Sequence, residues 1–210
     1  EVERRAIEAA HDSMKSYKPI NLSFNMVNPE KGDPCICGGS VQIYIEPITP
    51  TQEIVIIGNG HVGRSVAHLA KWLGFYVTMV DDRQMDLDEE LLKNIDHNII
   101  SEITNFKSDV VLNEDSIVII TTRDHEIDIK ILPHVLSQKT AYVGVIGSRR
   151  RWKLTREKLI EQGISLEQLE KVYSPIGLDI GAQTPNEIAV SIMSEVLKTT
   201  NKNTGNSMRG

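Results

Sequence analysis

The feature that most constrains the fold is a glycine-rich turn between an apolar strand and a helix. Residues 54–57 read Ile-Val-Ile-Ile, which predicts a short strand buried on both faces. The glycines that follow are Gly58, Gly60 and Gly63, and they have the G-x-G-x-x-G spacing. In such a turn the first glycine permits the tight bend, the second lets a pyrophosphate approach the backbone, and the third lets helix and strand pack closely.

The residues after the turn continue as a helix and a second strand. Apolar side chains recur at helical spacing from Val62 to Leu73, and Gly74 stands where a helix C-terminus belongs. An apolar run over 75–80 then ends at Asp81, about where a βαβ unit places the acid that binds a ribose. Glycines, strand, helix, strand and terminal acid in register predict a nucleotide-binding type of fold.

Strand and helix patterns go on alternating after Asp81. Buried strands are predicted at 116–120 and 142–146, each followed by a polar turn and a helix. The acidic residues 84–96 are compatible with a helix, and residues 98–100 with a short strand. Alternation of this kind predicts a parallel sheet covered by helices.

Capping residues mark the starts of the last two helices. Ser165 and Gln168 have the spacing of a capping box. Further on, Thr184 is the predicted N-cap of the final helix, with Pro185 at its first position and Glu187 at its third.

The first fifty residues have a different pattern. A helix-compatible stretch over 1–17 is followed, at 22–26 and 41–45, by alternating apolar and mostly polar side chains, as in half-buried antiparallel strands. We predict three regions, which are a small N-terminal α+β remnant at 1–50, a doubly wound Rossmann-like α/β domain with a parallel sheet at 51–198, and a disordered tail at 199–210.

The composition argues against several classes of protein. With 40% apolar residues the 210-residue chain can bury a core, but no apolar run approaches the ~18 residues of a membrane span. A net charge of −6 argues against general nucleic-acid binding. A disulfide between Cys35 and Cys37 would be strained, so a reducing, cytoplasmic setting is expected. No second Cys or His pair stands at zinc spacing, so no metal site is predicted.

Four polar turns follow predicted strands and are expected to meet. They are residues 58–63, 81–83, 121–125 and 147–151. In an open parallel sheet, ligands bind outside the carboxyl ends of the strands, so these turns should line one crevice. Glycine turns and helix N-termini offer N–H groups to an anion, and the arginines at 149–151 can add charge-assisted hydrogen bonds.

Several side chains near these turns permit two interpretations. The arginine run at 149–151 is either an anion clamp or, for two of its members, a solvated helix face. His61 either contacts a phosphate or caps its own turn, and His125 is either a base or ligand or has neither role. Cys35 and Cys37 are either loop thiols without a role or part of a glycine turn whose backbone N–H groups favour a thiolate.

Five motifs in order make a family resemblance specific. They are Gly-Asn-Gly-His-Val at 58–62, Val-Asp-Asp-Arg at 80–83, Thr-Arg-Asp-His at 122–125, Val-Ile-Gly-Ser-Arg-Arg at 145–150, and the long stretch at 174–192. Together they closely resemble the XdhC/CoxI family, the accessory factors of xanthine dehydrogenase and related molybdenum hydroxylases. The Cys-Gly-Gly at 37–39 and Ile-Glu-Pro at 45–47 also look like the family's junction before its Rossmann domain. The resemblance covers about residues 35 to 198.

The resemblance implies a cytoplasmic maturation factor rather than a metabolic dehydrogenase. Members of the family are understood to bind molybdenum cofactor (molybdopterin), to protect it while its terminal sulfur ligand is installed, and to help deliver it to the hydroxylase. The implied partners are the apo molybdenum hydroxylase and a cysteine desulfurase, and the implied assembly is a homodimer.

The resemblance also assigns cofactor-binding roles. Cys37 would lie near the molybdenum centre, the glycine turn would hold the phosphate with help from Arg149, and residues 177–184 would close the crevice. The candidate cofactor-binding residues are Cys37, Gly58, Gly60, His61, Gly63, Asp81, Arg83, Arg123, His125, Ser148, Arg149, Asp179 and Thr184.

The chain departs from the family pattern in two places. Only 36 residues precede Cys37, so part of the cofactor-handling surface is expected to be missing or supplied by another chain. Asn59 stands where the family usually has Ala, which would narrow the phosphate turn or add a hydrogen bond.

Two other classes of function fit parts of the sequence. An NAD(P)-dependent oxidoreductase would use Asp81 for the ribose and Arg83 for a 2′-phosphate, but no Tyr-x-x-x-Lys pair or separate substrate domain completes a hydride-transfer site. A regulatory nucleotide-binding module, of the kind that gates potassium transport, shares the glycine turn and Asp81. That class gives no account of residues 177–192 or of Cys37.

Overall fold

A computed structural model describes residues 2–16, 18–25, 38–48, 51–83, 89–102 and 105–209. The chain divides into two compact units, Glu1–Pro50 and Thr51–Gly210. Cys35 and Cys37 lie outside the described residues, so their predicted roles stay predictions. None of the helices in the described part is both long enough and apolar enough to span a bilayer.

The first unit consists of a helix and a two-stranded sheet. Helix α1 (Val2–Ser16) is followed by strands β1 (Ile20–Asn25) and β2 (Ser40–Ile45), which pair in antiparallel register. Among its described residues only Ala9, Ser13 and Phe24 are buried. The predicted helix and two strands are therefore present, and they enclose little apolar surface of their own.

The second unit is built on a six-stranded parallel sheet. In space the strands run in the order β5-β4-β3-β6-β7-β8, and every neighbouring pair is parallel. Counted from β3, this is the order 3-2-1-4-5-6 of a doubly wound Rossmann-like sheet, so the predicted fold class is confirmed. The six strands are β3 (Glu53–Ile57), β4 (Tyr76–Asp81), β5 (His97–Ile100), β6 (Ile117–Ile120), β7 (Tyr142–Val145) and β8 (Val172–Tyr173).

Helices cover both faces of this sheet. Successive strand residues point to opposite faces, so Ile54 and Ile56 pack in one apolar cluster with α2 and α8, and Val55 and Ile57 pack in another with α5 and α6. The helices of this unit are α2 (His61–Trp72), α3 (Glu89–Leu92), α4 (Phe106–Asp109), α5 (His125–Ser137), α6 (Arg149–Glu161), α7 (Leu166–Glu170) and α8 (Pro185–Thr200).

The structure limits the helix-compatible stretch at 84–96 to a shorter helix. In the described part of that stretch, only Glu89–Leu92 is helical. The chain leaves the helix before Asp96 because Asp96 is drawn to the sheet, where its Oδ2 accepts from the Val77 N–H at 2.9 Å and its own N–H donates to the Val77 carbonyl at 2.8 Å. The strands and helices predicted elsewhere are present where they fall on described residues, although α8 runs to Thr200, two residues into the predicted tail. The predicted capping box of α7 is present, and the predicted N-cap Thr184 of α8 forms a capping box with Glu187.

Candidate functional site

The glycine turn after β3 uses its three glycines in different ways. Gly58 has a φ of +113°, and a Cβ there would lie 2.6 Å from the Thr121 carbonyl oxygen. A Cβ on Gly63 would lie 2.1 Å from the Gly58 carbonyl oxygen. A Cβ on Gly60, in contrast, would meet nothing within 4 Å. Gly58 and Gly63 therefore allow strand, turn and helix to pack, and Gly60 leaves the backbone open to an approaching group.

Asp81, at the end of β4, is held by hydrogen bonds within the protein. Its Oδ2 accepts from the Asn59 N–H at 2.7 Å and from Arg83 Nη2 at 3.2 Å. Its Oδ1 accepts from the Arg83 N–H and Nε, each at 3.0 Å. The Asp81 side chain is 7% exposed, and these four donors fill the roughly four acceptor positions of a carboxylate. Asp81 therefore ties the glycine turn to the end of β4.

The next residue, Asp82, forms an ion pair with Arg123 from the turn after β6. Arg123 Nη1 and Nη2 donate to Asp82 Oδ1 and Oδ2 at 2.6 and 2.7 Å, which is a bidentate geometry. The hydrogen-bonded guanidinium lowers the pKa of Asp82 from its ordinary value of 3.8 to about 2. Because β4 and β6 are the two neighbours of β3, this pair crosses the carboxyl end of β3.

A cavity of about 120 Å³ lies at the carboxyl ends of β3, β4 and β6. Its polar lining comes from the turns at 58–60, 81–83 and 121–123 and from Ser101, just after β5. Three of the four turns predicted to converge therefore do so, at the point where the strand order reverses. The apolar residues that line the cavity are Ile57, Val80, Phe106, Ile127 and Ile131.

A second pocket of about 300 Å³ adjoins this cavity and shares Arg123 with it. Asp124 lines it and caps α5, because its Oδ1 accepts from the Glu126 N–H at 3.1 Å. This backbone hydrogen bond holds the pKa of Asp124 below its usual range. The fourth predicted turn therefore meets the third in this second pocket, whose lining also includes His125, Ser148, Arg150 and Arg151.

Arg151, in the first turn of α6, is hydrogen-bonded to buried side chains of the protein. Its guanidinium donates to the fully buried Asp128 carboxylate, from Nε at 3.1 Å and from Nη2 at 2.5 Å, and Nη2 also donates to Thr122 Oγ1 at 3.1 Å. Thr122 Oγ1 in turn donates to Asp128. Burial raises the pKa of Asp128, because desolvation disfavours its charged form. Arg149 and Arg150 are exposed, and neither has an ion-pair partner among the described residues.

Other candidate residues lie apart from the cavity. His61 lines a separate groove of about 460 Å³ between α2 and the start of α8. Thr184 caps α8: its Oγ1 accepts from the Glu187 N–H at 3.3 Å, and Glu187 accepts from the Thr184 N–H at 2.9 Å. Asp179 is exposed. The structure does not bring these three candidates to the cavity.

The segment at 177–184 is fastened to α8. The Gly177 N–H donates to Glu195 Oε2 at 2.8 Å. Leu178 bonds to Ser191 twice, through its N–H at 3.2 Å and through its carbonyl, which accepts from Ser191 Oγ at 2.6 Å. No residue of this segment lines the cavity, so closure of the crevice by these residues stays a prediction.

The sequence interpretation missed two acids that shape the site. Asp82 and Asp128 pair with arginines that lie 41 and 23 residues away along the chain, and no local pattern signals such pairings. The hints for Asp82 were its place next to Asp81 at a strand end and its presence in the motif at 80–83. Within the described ranges, no group of three or more His, Cys, Asp or Glu side chains is placed to hold a metal ion.

The fold is similar to that of a solved protein. The crystal structure of a xanthine dehydrogenase from Bacillus halodurans matches 96% of this chain and 65% of that chain, with a TM-score of 0.66 and 21% sequence identity. At this level of identity the match establishes the fold.

Three curated relatives are also similar in sequence. The uncharacterized protein YqeB of Escherichia coli is 30% identical over 99% of this chain and 38% of its own length. A probable xanthine dehydrogenase subunit of Bacillus subtilis is 28% identical over 76% of this chain and 46% of its own. The molybdenum cofactor insertion chaperone PaoD of Escherichia coli is 29% identical over 40% of this chain and 27% of its own. The chain therefore spans less than half the length of each relative.

A family model described as the XdhC Rossmann domain matches residues 54–196. The matched region begins in β3 and ends in α8. It contains the glycine turn, the cavity at the strand ends and the second pocket beside it. The chain therefore belongs to the XdhC family.

Proposed function

We propose that this chain binds molybdenum cofactor and assists its sulfuration and its insertion into a xanthine-dehydrogenase-like molybdenum hydroxylase. It acts in the cytoplasm as a homodimer, and its partners are the apo-hydroxylase and a cysteine desulfurase. Two relatives are named as a molybdenum cofactor insertion chaperone and a probable xanthine dehydrogenase subunit. Those names, together with membership of the XdhC family, support a role in supplying cofactor to the hydroxylase.

The observation that carries this proposal is the cavity beside the glycine turn. It lies where β3 and β6 separate two halves of a doubly wound sheet, which is the position at which such sheets bind ligands. Its inner wall is apolar and its rim carries Arg83 and Arg123. A ligand with a ring system and an anionic group suits this combination.

The residues around the cavity fit a pterin cofactor that carries a phosphate. Ile57, Val80 and Ile131 offer apolar contact to a ring, and Gly60 leaves the turn's backbone open. Helix α2 begins at this turn without an acidic residue in its first turn, so its N-terminal N–H groups favour an anion. Hydroxylation itself belongs to the molybdenum centre of the client enzyme. The residues of this chain would bind and shield the cofactor before its transfer.

The same geometry disfavours an NAD(P)-dependent oxidoreductase. A ribose hydroxyl could donate to Asp81 only by displacing a hydrogen bond from Asn59 or Arg83. Arg83, the candidate for a 2′-phosphate, is itself bonded to Asp81. NAD or NADP would therefore have to break this internal network.

Activation of a client enzyme tests the proposal. A xanthine-dehydrogenase-like hydroxylase prepared without cofactor is mixed either with free molybdenum cofactor or with cofactor preloaded on this chain, and hydroxylase activity is followed. We expect faster and more complete activation by the preloaded chain, because bound cofactor is shielded until transfer. The Cys37→Ala variant is expected to fold normally but to retain less cofactor and to activate less enzyme.

Two results would count against this account. Equal activation with and without the chain would contradict a role in insertion. Unchanged cofactor retention by Cys37→Ala would remove Cys37 from the cofactor site and leave it as a loop thiol.

A further inference from the structure

The Asp82–Arg123 ion pair stands between the two pockets of the site. Arg123 lines both the apolar cavity and the second pocket, and Asp82 lines the first. The two side chains meet at 2.6 and 2.7 Å across the carboxyl end of β3, where the glycine turn begins. Arg123 is therefore within reach of a ligand in either pocket.

The pair has the geometry with which arginine binds anionic ligands. A guanidinium donates two parallel N–H bonds to a carboxylate or to a phosphate in the same way. Asp82 therefore occupies an anion-binding position with a carboxylate that belongs to the protein. Arg123 is 48% exposed, so an anion from solution can reach it.

If another anion replaces Asp82 on Arg123, the displaced Asp82 carboxylate still has a partner. Arg83 Nε lies 3.8 Å from Asp82 Oδ1, so a displaced Asp82 still has a cation beside it. Partly exposed ion pairs also contribute little to stability. On the other side, Arg150 lines the second pocket and has no ion-pair partner among the described residues. Asp124 of the same pocket caps α5, and its Oδ1 also lies 3.0 Å from His125 Nδ1.

We propose that Arg123 binds a phosphoryl group of the ligand in exchange for Asp82, so that Asp82 is a built-in competitor of the ligand. Arg150 adds a second cation to the same subsite. This inference rests on the proposed function in so far as the phosphoryl group belongs to the cofactor. A free phosphate ester would have the same chemistry.

Inorganic pyrophosphate is the probe that tests this subsite. Isothermal titration at low ionic strength is done on the 210-residue chain and on three variants, which are Asp82→Asn, Arg123→Gln and the double variant. Asp82→Asn is expected to bind pyrophosphate about tenfold more tightly, and Arg123→Gln about tenfold more weakly, which is the size expected for one charge-assisted hydrogen-bond pair. In a protein that already carries Arg123→Gln, the Asp82→Asn substitution should not increase the affinity for pyrophosphate.

The control for general electrostatics is Glu126→Gln. Glu126 is exposed, lies near the second pocket and carries the same charge as Asp82, but it does not pair with Arg123. We expect Glu126→Gln to change the affinity for pyrophosphate by less than twofold. An equal increase in pyrophosphate affinity from Glu126→Gln and from Asp82→Asn would overturn the proposal. An increase from Asp82→Asn that persists in the Arg123→Gln protein would overturn it too. The absence of saturable pyrophosphate binding to every form would overturn it as well.

Competition with molybdopterin identifies the source of the phosphoryl group. Displacement of pyrophosphate by molybdopterin would assign the subsite to the cofactor's own phosphate, and simultaneous binding of both would assign it to a separate phosphate ester. If molybdopterin fails to bind while the pyrophosphate variants behave as expected, the subsite stands and the proposed function fails. The two ideas can therefore fail separately.

Discussion

At the scale of single residues, two glycines of the same turn are expected to respond differently to an added methyl group. Gly63→Ala should lower the free energy of unfolding by about 3 kcal/mol, because overpacking costs are of this order and the new Cβ would lie 2.1 Å from a backbone oxygen. Gly60→Ala should cost less than about 1 kcal/mol as a helix N-cap change, since its Cβ meets nothing within 4 Å. Urea unfolding of both variants measures the difference.

The Gly60→Ala variant also tests ligand binding independently of packing. Gly60→Ala should weaken molybdopterin binding despite its near-normal stability, because the methyl group occupies the open side of the turn. A Gly60→Ala protein that binds molybdopterin as well as the unchanged chain would show that the ligand does not approach the backbone here.

The acids at the end of β4 show how neighbouring residues of one type take different roles. Asp81 is buried and fully hydrogen-bonded within the protein, whereas Asp82 makes a partly exposed ion pair with Arg123 and a longer contact, of 3.8 Å, with Arg83 Nε. Sequence position alone suggested Asp81 as the ligand residue, because strand-end acids often bind a ribose. The structure instead leaves Asp82 and its partner Arg123 as the groups that an incoming anion can rearrange.

At the scale of elements, the Asp82–Arg123 pair links the end of β4 to the turn after β6. Its contribution to the free energy of unfolding should depend on pH. The pKa of Asp82 is lowered from 3.8 to about 2, chiefly by its hydrogen bond from Arg123. A depressed pKa in the folded state gives stability that is complete above the unfolded value and is lost as the pH falls through the folded value. We expect the stability difference between the unchanged chain and Asp82→Asn to be constant above pH 4 and to shrink between pH 4 and pH 2.

Denaturant unfolding at a series of pH values checks this. A stability difference that stays constant down to pH 2, or one that changes between pH 5 and pH 8, would contradict the ion-paired state of Asp82.

The start of α8 offers a second test at this scale. Thr184 and Glu187 form a reciprocal capping box, and loss of such a cap typically costs about 1 kcal/mol. Thr184→Ala should therefore lower the free energy of unfolding by about that amount. Asp179→Ala, at an exposed position of the preceding segment, should change it by less than about 0.5 kcal/mol. Equal effects of the two substitutions would show that the capping box does not stabilise α8.

Local patterns predicted most elements of the sheet domain. The strands β3, β4, β6 and β7 are short runs of apolar residues, and the caps of α7 and α8 are marked by their own side chains. Strand β8 and helix α4 were not predicted, because elements of two and four residues carry almost no periodicity. The helix-compatible stretch at 84–96 ends before Asp96, which bonds to Val77 of β4, and no local pattern contains that contact.

At the scale of the whole molecule, the sheet order determines where a ligand can bind. The cavity lies between the two halves of the sheet, and the turns that line it were recognisable as strand-end turns from the sequence. The sequence did not predict that these turns line two separate pockets, an apolar cavity and an adjoining polar pocket. That partition depends on pairings between side chains 41 and 23 residues apart along the chain, which only the folded arrangement creates.

The central claim is that the crevice beside the glycine turn binds molybdenum cofactor in preference to a nicotinamide dinucleotide. The measurement that tests it most directly is equilibrium titration of the 210-residue chain with molybdopterin, NAD and NADP under the same conditions. We predict saturable binding of molybdopterin that is weakened by Gly60→Ala, with much weaker binding of NAD and NADP. Preferential binding of NAD or NADP, or molybdopterin binding unaffected by Gly60→Ala, would contradict it.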